Sequence, residues 1–238
     1  MNTLSDLLVS TIPQYEATIP STGKKVNFRP FLVKEEKVLL IAQSTGNNQQ
    51  VLDAIKNIIE SCFEDITDAR SLPLFDVEYL FLKLRSKSVG EVVNPSIICP
   101  FTEEKIELSI NLDEIEVTGN IKKQNKIKIK DKLILKMSYP SLKTLSLSKD
   151  VDYNSPESIY DLIINCIDEV ITEDEVINAK ELPREEVSSF VDNMTKHQFG
   201  KLIDFITNIP RLKHTEKYKT SDGIEREVVL SSLSDFFG

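Results

Sequence analysis

The stretch VLDAIKNIIESCFEDI (51–66) decides the fold. Ile55, Ile58, Ile59, Cys62, Phe63 and Ile66 fall at i, i+3, i+4, i+7, i+8 and i+11, which is one buried stripe of an α-helix. A second stretch, IYDLIINCIDEV (159–170), repeats the pattern with Ile159, Leu162, Ile163, Cys166, Ile167 and Val170, each 104 positions later. Working outward, Pro30 and Leu32 precede the first helix as Pro140 and Leu142 precede the second, and Leu72-Pro73 follows as Leu182-Pro183 does, all at an offset of 110. Each passage closes on a strand-like hairpin, Ile98 to Ile110 and Tyr218 to Leu230. The order is kept and the offsets change only as loop lengths would. The expected architecture is therefore α+β: two diverged tandem modules, 1–118 and 119–238, with a linker near Thr118-Gly119-Asn120. Each module carries a β-hairpin, several helices and a closing β-hairpin.

Local chemistry fills in the elements. In the first module, Lys25 to Arg29 alternates polar and apolar residues, and Pro20-Ser21-Thr22-Gly23 supplies the turn of a hairpin over Tyr15–Arg29. A helix opens at Lys34 and runs to Ser44. The cysteine-bearing helix spans Val51–Ile66, and Pro73 suits the first turn of a third helix with Leu74, Val77, Phe81 and Leu84 on one face. Ile106, Leu108, Ile110 and Leu112 alternate with polar residues as a half-buried strand. In the second module, Lys126–Met137 reads as a hairpin turning at Asp131-Lys132. Ser155-Pro156 starts a helix that runs to Ile171, and Arg184–Met194 is helical. Thr195 and Gln198 have capping-box spacing, and Asp222-Gly223 turns the last hairpin.

Composition narrows the function classes. A chain of 238 residues with 40% apolar and 28% charged residues is ordinary for a globular protein, and its net charge of −9 disfavours general nucleic-acid binding. The charge is uneven: residues 120–150 carry nine Lys against two Asp, and residues 157–186 carry ten acids against two bases. Such patches attract each other within one molecule or head-to-tail between copies. Homo-oligomerisation stays open. Three scattered cysteines make no disulfide framework, and no apolar run reaches the length of a membrane span, so neither a secretory signal nor a membrane partner is expected.

No constellation that carries bond-making chemistry emerges. His197 and His214 have no Cys or His at ligand spacing, and the acid runs Glu173-Asp174-Glu175 and Glu185-Glu186 lack the glycine of a calcium loop. Ser21-Thr22-Gly23-Lys24-Lys25 lacks the upstream glycine of a phosphate loop. Cys62 and Cys166 sit on apolar stripes as small hydrophobes. No catalytic residue, metal site or cofactor is expected. Contact with a partner is expected instead at Arg29, Phe31, Tyr79, Arg85, Phe236 and Phe237, because aromatics and arginines dominate interface energies. The alternatives are an enzyme and, more weakly, nucleic-acid binding through the lysines of 122–136, where no aromatics interleave for base stacking.

Three stretches carry a resemblance: PSTGKKVNFRPFLVKEEKVLLIA (20–42), LPLFDVEYLFLKLRSKSVGE (72–91) and IPRLKHTEKYKTSDGIEREVVLSSLSDFFG (209–238). Together they resemble the baseplate protein family of T-even-like contractile-tailed bacteriophages, whose members are described as hub subunits or hub assembly proteins. The resemblance implies a non-catalytic role in building the phage baseplate hub, with other hub or tail proteins as partners. It implies a place in the host cytoplasm during assembly, in the virion tail, or both. It leaves open a permanent structural subunit or a transient chaperone. Some members carry Cys-x-x-Cys pairs in the two closing hairpins, as in zinc ribbons, so the resemblance implies closing hairpins of zinc-ribbon-like form. Here the matching positions are Cys99-Pro100-Phe101-Thr102 and Lys219-Thr220-Ser221-Asp222, which keep one thiol of four, so metal-free hairpins are expected.

Overall fold

The computed structural model describes residues 11–119, 121, 125–147 and 155–237. It is a mixed α+β chain that divides into two compact units: residues 1–69, 75–118 and 211–238 form the first, and residues 70–74 and 119–210 form the second.

The first unit opens on the hairpin β1 (Tyr15–Thr18) and β2 (Lys25–Phe28), paired from Tyr15 with Phe28 to Thr18 with Lys25. Gly23 takes φ +72° in its turn, the left-handed conformation glycine reaches without strain. Helices α1 (Val33–Ser44) and α2 (Asn48–Cys62) follow, and Asn47 caps α2 through its side chain. After a single 3₁₀ turn comes α3 (Leu74–Val89), then the short strands β3 (Val92–Val93), β4 (Ser96–Ile98), β5 (Lys105–Glu107), β6 (Ile110–Asn111) and β7 (Glu116–Thr118). The core gathers Leu82, Val93, Cys99, Leu108, Ile110, Leu112, Ile115, Leu212, Tyr218, Leu230 and Phe236.

The second unit is an antiparallel sheet in the order β11-β10-β9-β8. Its strands are β8 (Lys126–Lys130), β9 (Leu133–Met137), β10 (Ile167–Ile171) and β11 (Val176–Asn178). Four helices accompany it: α4 (Leu142–Leu147), α5 (Pro156–Cys166), α6 (Arg184–Asp192) and α7 (Lys196–Thr207). Leu135, Met137, Ile163, Cys166 and Leu202 are completely buried in its core. The caps are those expected: the Ser155 side chain accepts from the Ser158 N–H, and Thr195 and Gln198 form a reciprocal box. Residues 70–74 join this unit through the Leu74 N–H, which donates to the Pro140 carbonyl at 2.8 Å.

Three expectations change. The last hairpin, β12 (Arg211–Lys219) and β13 (Glu225–Leu230), belongs to the first unit and not to a module spanning 119–238. The reason is that β12 is long enough to serve two partners: residues 211–213 pair with β7 and residues 214–219 pair with β13. The expected helix over 155–171 stops at Cys166, because the β-branched residues Ile167, Val170 and Ile171 form β10: Ile167 pairs with β9, and Val170 and Ile171 pair with β9 and β11. The expected strand over 106–112 keeps its inward Leu108, Ile110 and Leu112 but breaks into β5, β6 and a 3₁₀ turn. The Leu108 N–H turns aside to the Pro95 carbonyl at 2.9 Å.

The opposed charges of residues 120–150 and 157–186 meet inside the second unit. Lys136 pairs with Glu169 at 2.6 Å and Lys132 with Glu173 at 2.7 Å. Lys122 and Lys123 lie outside the described residues.

Candidate functional site

The first unit holds a cleft of about 450 Å³. One wall is a face of α1, on which Glu36, Leu39, Leu40 and Gln43 recur at i, i+3, i+4 and i+7. The facing side is the C-terminal half of α3, with Phe81, Arg85 and Val89. The remaining wall comes from Phe31, residues 92–95 and the aromatic pair Phe236-Phe237 of the C-terminal helix α8 (Leu233–Phe237).

The lining mixes polar side chains with apolar ones that stay exposed. In α1 only Glu35 and Ala42 are buried, while Val33 is 80% and Leu40 58% exposed. Val89 and Val92 at the rim are also exposed. Exposed apolar residues scattered singly need no explanation, but a cluster around a concave surface marks an interaction site.

Arg85 is the polar centre of the cleft. Its guanidinium lies over the Phe237 ring, 5.7 Å from the centroid, and Phe237 meets Phe81 edge-on. The Nη1 nitrogen is buried and has no hydrogen-bond partner. Burial pulls the pKa of Arg85 down, and the charge of Glu36 opposes that shift without a bond between them.

Of the six expected contact residues, the structure brings Phe31, Arg85, Phe236 and Phe237 to this one cleft. Phe236 is mostly core, only 2% exposed, and Phe237 presents the open ring. Arg29 is placed elsewhere and is already engaged. It donates to the carbonyls of Pro30 and Ser61 and pairs with buried Glu35 at 3.0 Å. Tyr79 packs against the core with Lys83 over its ring. Leu39, Leu40 and Glu36 were missed in the sequence because α1 has no apolar stripe to single them out, and Val92 because its strand is only two residues long. The signal available was the run VLLIA itself, more apolar than an exposed helix needs.

The closing hairpins meet at their tips. The Tyr218 hydroxyl donates to Cys99 Sγ at 3.6 Å, the Ser221 N–H donates to Glu104 at 3.1 Å, and Arg226 stacks over Phe101. Burial raises the Cys99 thiol, but hydrogen bonds from Thr102, the Phe101 N–H and Tyr218 outweigh it and bring it to about 7. Asp222 is taken up by Arg226 at 2.6 Å and by Thr220 at 2.6 Å. One thiol and an engaged carboxylate do not fit a zinc site, which needs four donors. Among the described residues no group of three His, Cys, Asp or Glu stands ready for a metal. His197 is exposed, and His214 is half-buried against Glu216 at 2.8 Å.

A second cavity, of about 470 Å³, lies in the second unit. Its charged groups are satisfied by one another: Arg184 bonds Asp161 and Asn165, and Lys180 bonds the Asn165 carbonyl.

The sequence matches the family described as T4 bacteriophage base plate protein over residues 12–238. The chain belongs to that family. No curated protein and no solved structure matches it. Membership gives this T4-type baseplate protein a structural or assembly role in the tail baseplate of a phage. No helix among the described residues is long and apolar enough to cross a membrane.

Proposed function

We propose that this baseplate protein works at the baseplate hub by binding other hub or tail proteins through the cleft of its first unit. It does so as an assembly factor in the host cytoplasm or as a hub subunit retained in the virion. The observation that carries the reading is the cleft beside α1, whose exposed Leu40, Val89 and Val92 are unexplained by packing within the chain. Phe31, Arg85 and Phe237 are its contact residues. Arg29 and Tyr79 act from behind, holding the Pro30 turn and the face of α3 on which the cleft is built.

The test is the mass of the protein in solution, alone and mixed with purified hub and tail proteins of the same phage. A defined complex with one of them is expected, and a protein that stays alone with every one of them overturns the reading. Antigen in purified virions then separates subunit from chaperone: a retained subunit is present at fixed stoichiometry, and a chaperone is absent.

A further inference from the structure

The cleft also carries information about what fills it. Arg85 has a buried Nη1 donor with no acceptor, and among the described residues no carboxylate is ion-paired with it. A guanidinium nitrogen withdrawn from water and left with an open donor is costly, and the cost falls when the half-buried Arg85 shifts toward an acceptor that an occupant brings. An anionic acceptor answers both the open donor and the desolvated charge, and planar carboxylates match the guanidinium fork. The lining is mixed: Glu36, Gln43 and Asn94 are polar, and the apolar part is Leu39 and Leu40 on one side, Phe81 and Phe237 on the other, with Val92 at the rim. The α1 wall of the cleft runs from Glu36 to Gln43, two turns or about 11 Å of helix. A groove that long beside a helix fits the apolar face of another helix.

Resting on the docking reading above, we infer that the cleft takes an amphipathic helix of a second baseplate protein. That helix presents apolar residues at i, i+3 or i+4 and i+7, with one Asp or Glu among them that bonds Arg85 Nη1. Glu36 sits close enough to act on Arg85 and rejects a second acid at the α1 side, so a single carboxylate in register with Arg85 is specified. A second copy of this chain is the alternative occupant that the experiment separates.

The experiment uses the full-length protein and fluorescent 18-residue peptides tiling the other baseplate proteins of the same phage. Binding is read by anisotropy for wild type, Arg85→Gln, Leu40→Asp and Glu36→Gln. Leu40 is an exposed side chain, so Leu40→Asp keeps the fold, and thermal melts check every variant. The expected binders carry the stated pattern. Their affinity falls at least tenfold with Arg85→Gln or Leu40→Asp and is kept or improved with Glu36→Gln. Changing the peptide's acid to its amide costs as much as Arg85→Gln, and the two changes together cost no more than either alone. The inference is overturned if no peptide binds, if binders lack an acid, or if the two changes are additive. It is also overturned if sedimentation shows a dimer of this chain that Leu40→Asp dissociates. A complex with a hub protein that forms regardless of Leu40→Asp and Arg85→Gln leaves the hub role standing and removes this site from it.

Discussion

Cys62 and Cys166 hold the same position in two different parts of the chain. Each is the last residue of its helix and each is buried. Each offers its carbonyl to the residue that follows a hairpin strand: the Arg29 N–H to Cys62 at 3.1 Å and the Ser138 N–H to Cys166 at 2.7 Å. The next residue then pairs back onto that strand, Phe63 with Phe28 and Ile167 with Met137. Further on, buried Ala69 and Ala179 open matching 3₁₀ turns. The cysteines are 104 positions apart and the alanines 110, and the six extra residues fall where the second unit has the β10–β11 hairpin. The local arrangement around Cys62 thus recurs around Cys166, from the end of the helix to the 3₁₀ turn.

Burial pushes the Cys62 thiol up to about 11 and the Cys166 thiol up to about 12, whereas Cys99 lies near 7. Only a thiolate alkylates at a useful rate, and all three are shielded. Iodoacetamide at pH 8 followed by mass spectrometry is expected to label Cys99 first, as the hairpin tips open. Cys62 and Cys166 are expected to label together, at the rate of unfolding of their units. Early labelling of either helix cysteine contradicts the shared position. Cys62→Ser and Cys166→Ser each bury a hydroxyl and should cost about 1–3 kcal/mol in urea unfolding.

Gly119 stands where the chain passes into the second unit, at φ +119°, and a Cβ there would meet the Pro210 Cα at 3.1 Å. Gly23 has φ +72° with open space around it. Gly23→Ala should therefore cost only the left-handed penalty, about 1–2 kcal/mol. Gly119→Ala adds a backbone contact that a proline cannot easily relieve, so it should lower thermal stability more than Gly23→Ala does. Equal losses would mean that the Pro210 contact gives way freely.

Glu35 is buried in the first turn of α1, where burial raises its pKa, but Arg29 and the Leu32 N–H outweigh that and lower it below the ordinary 4.5. A carboxyl held low in the folded state contributes stability above about pH 4.5, and that contribution is lost as pH falls through the folded value. Arg29→Ala leaves Glu35 buried without its cation. The expected loss is about 2 kcal/mol at pH 7 and much less at pH 3, measured by denaturant unfolding at both. A loss independent of pH would show that Arg29 acts through packing.

The sequence was most readable where structure is local. The turns at Gly23, Asp131-Lys132 and Asp222-Gly223 and the caps at Ser155 and Thr195 need only neighbours in the chain, and all are found where residue chemistry places them. Pairing between distant segments was not readable. Residues 211–213 join residues 116–118 across the whole second unit, and no local pattern in Arg211-Leu212-Lys213 states which edge it will complete. The cleft was half legible for the same reason. Phe31, Arg85 and Phe237 stood out by residue type, while Leu40 matters only because α1 turns Glu35 and Ala42 inward and leaves its leucines outside.

Glu78 supplies the opposite pH dependence to Glu35. Half-buried on α3, its carboxyl is raised by burial, and further by the charge of Asp235, from an ordinary 4.5 to about 7. The folded state thus holds a proton that the unfolded chain releases. The stability tied to that proton is complete below pH 4.5 and is lost as pH rises through 7. The span corresponds to at most about 3 kcal/mol. Glu78→Gln cannot ionise, so its advantage over wild type should be absent at pH 4.5 and grow to a plateau above pH 7. Because Asp235 holds the Ser231 and Ser232 N–H groups at the start of α8, the ionised pair strains the helix that carries Phe236 and Phe237. Hydrogen exchange of residues 231–237 in wild type should accordingly quicken, relative to Glu78→Gln, between pH 6 and pH 8. A difference between the two proteins that does not change with pH would remove the assignment to Glu78.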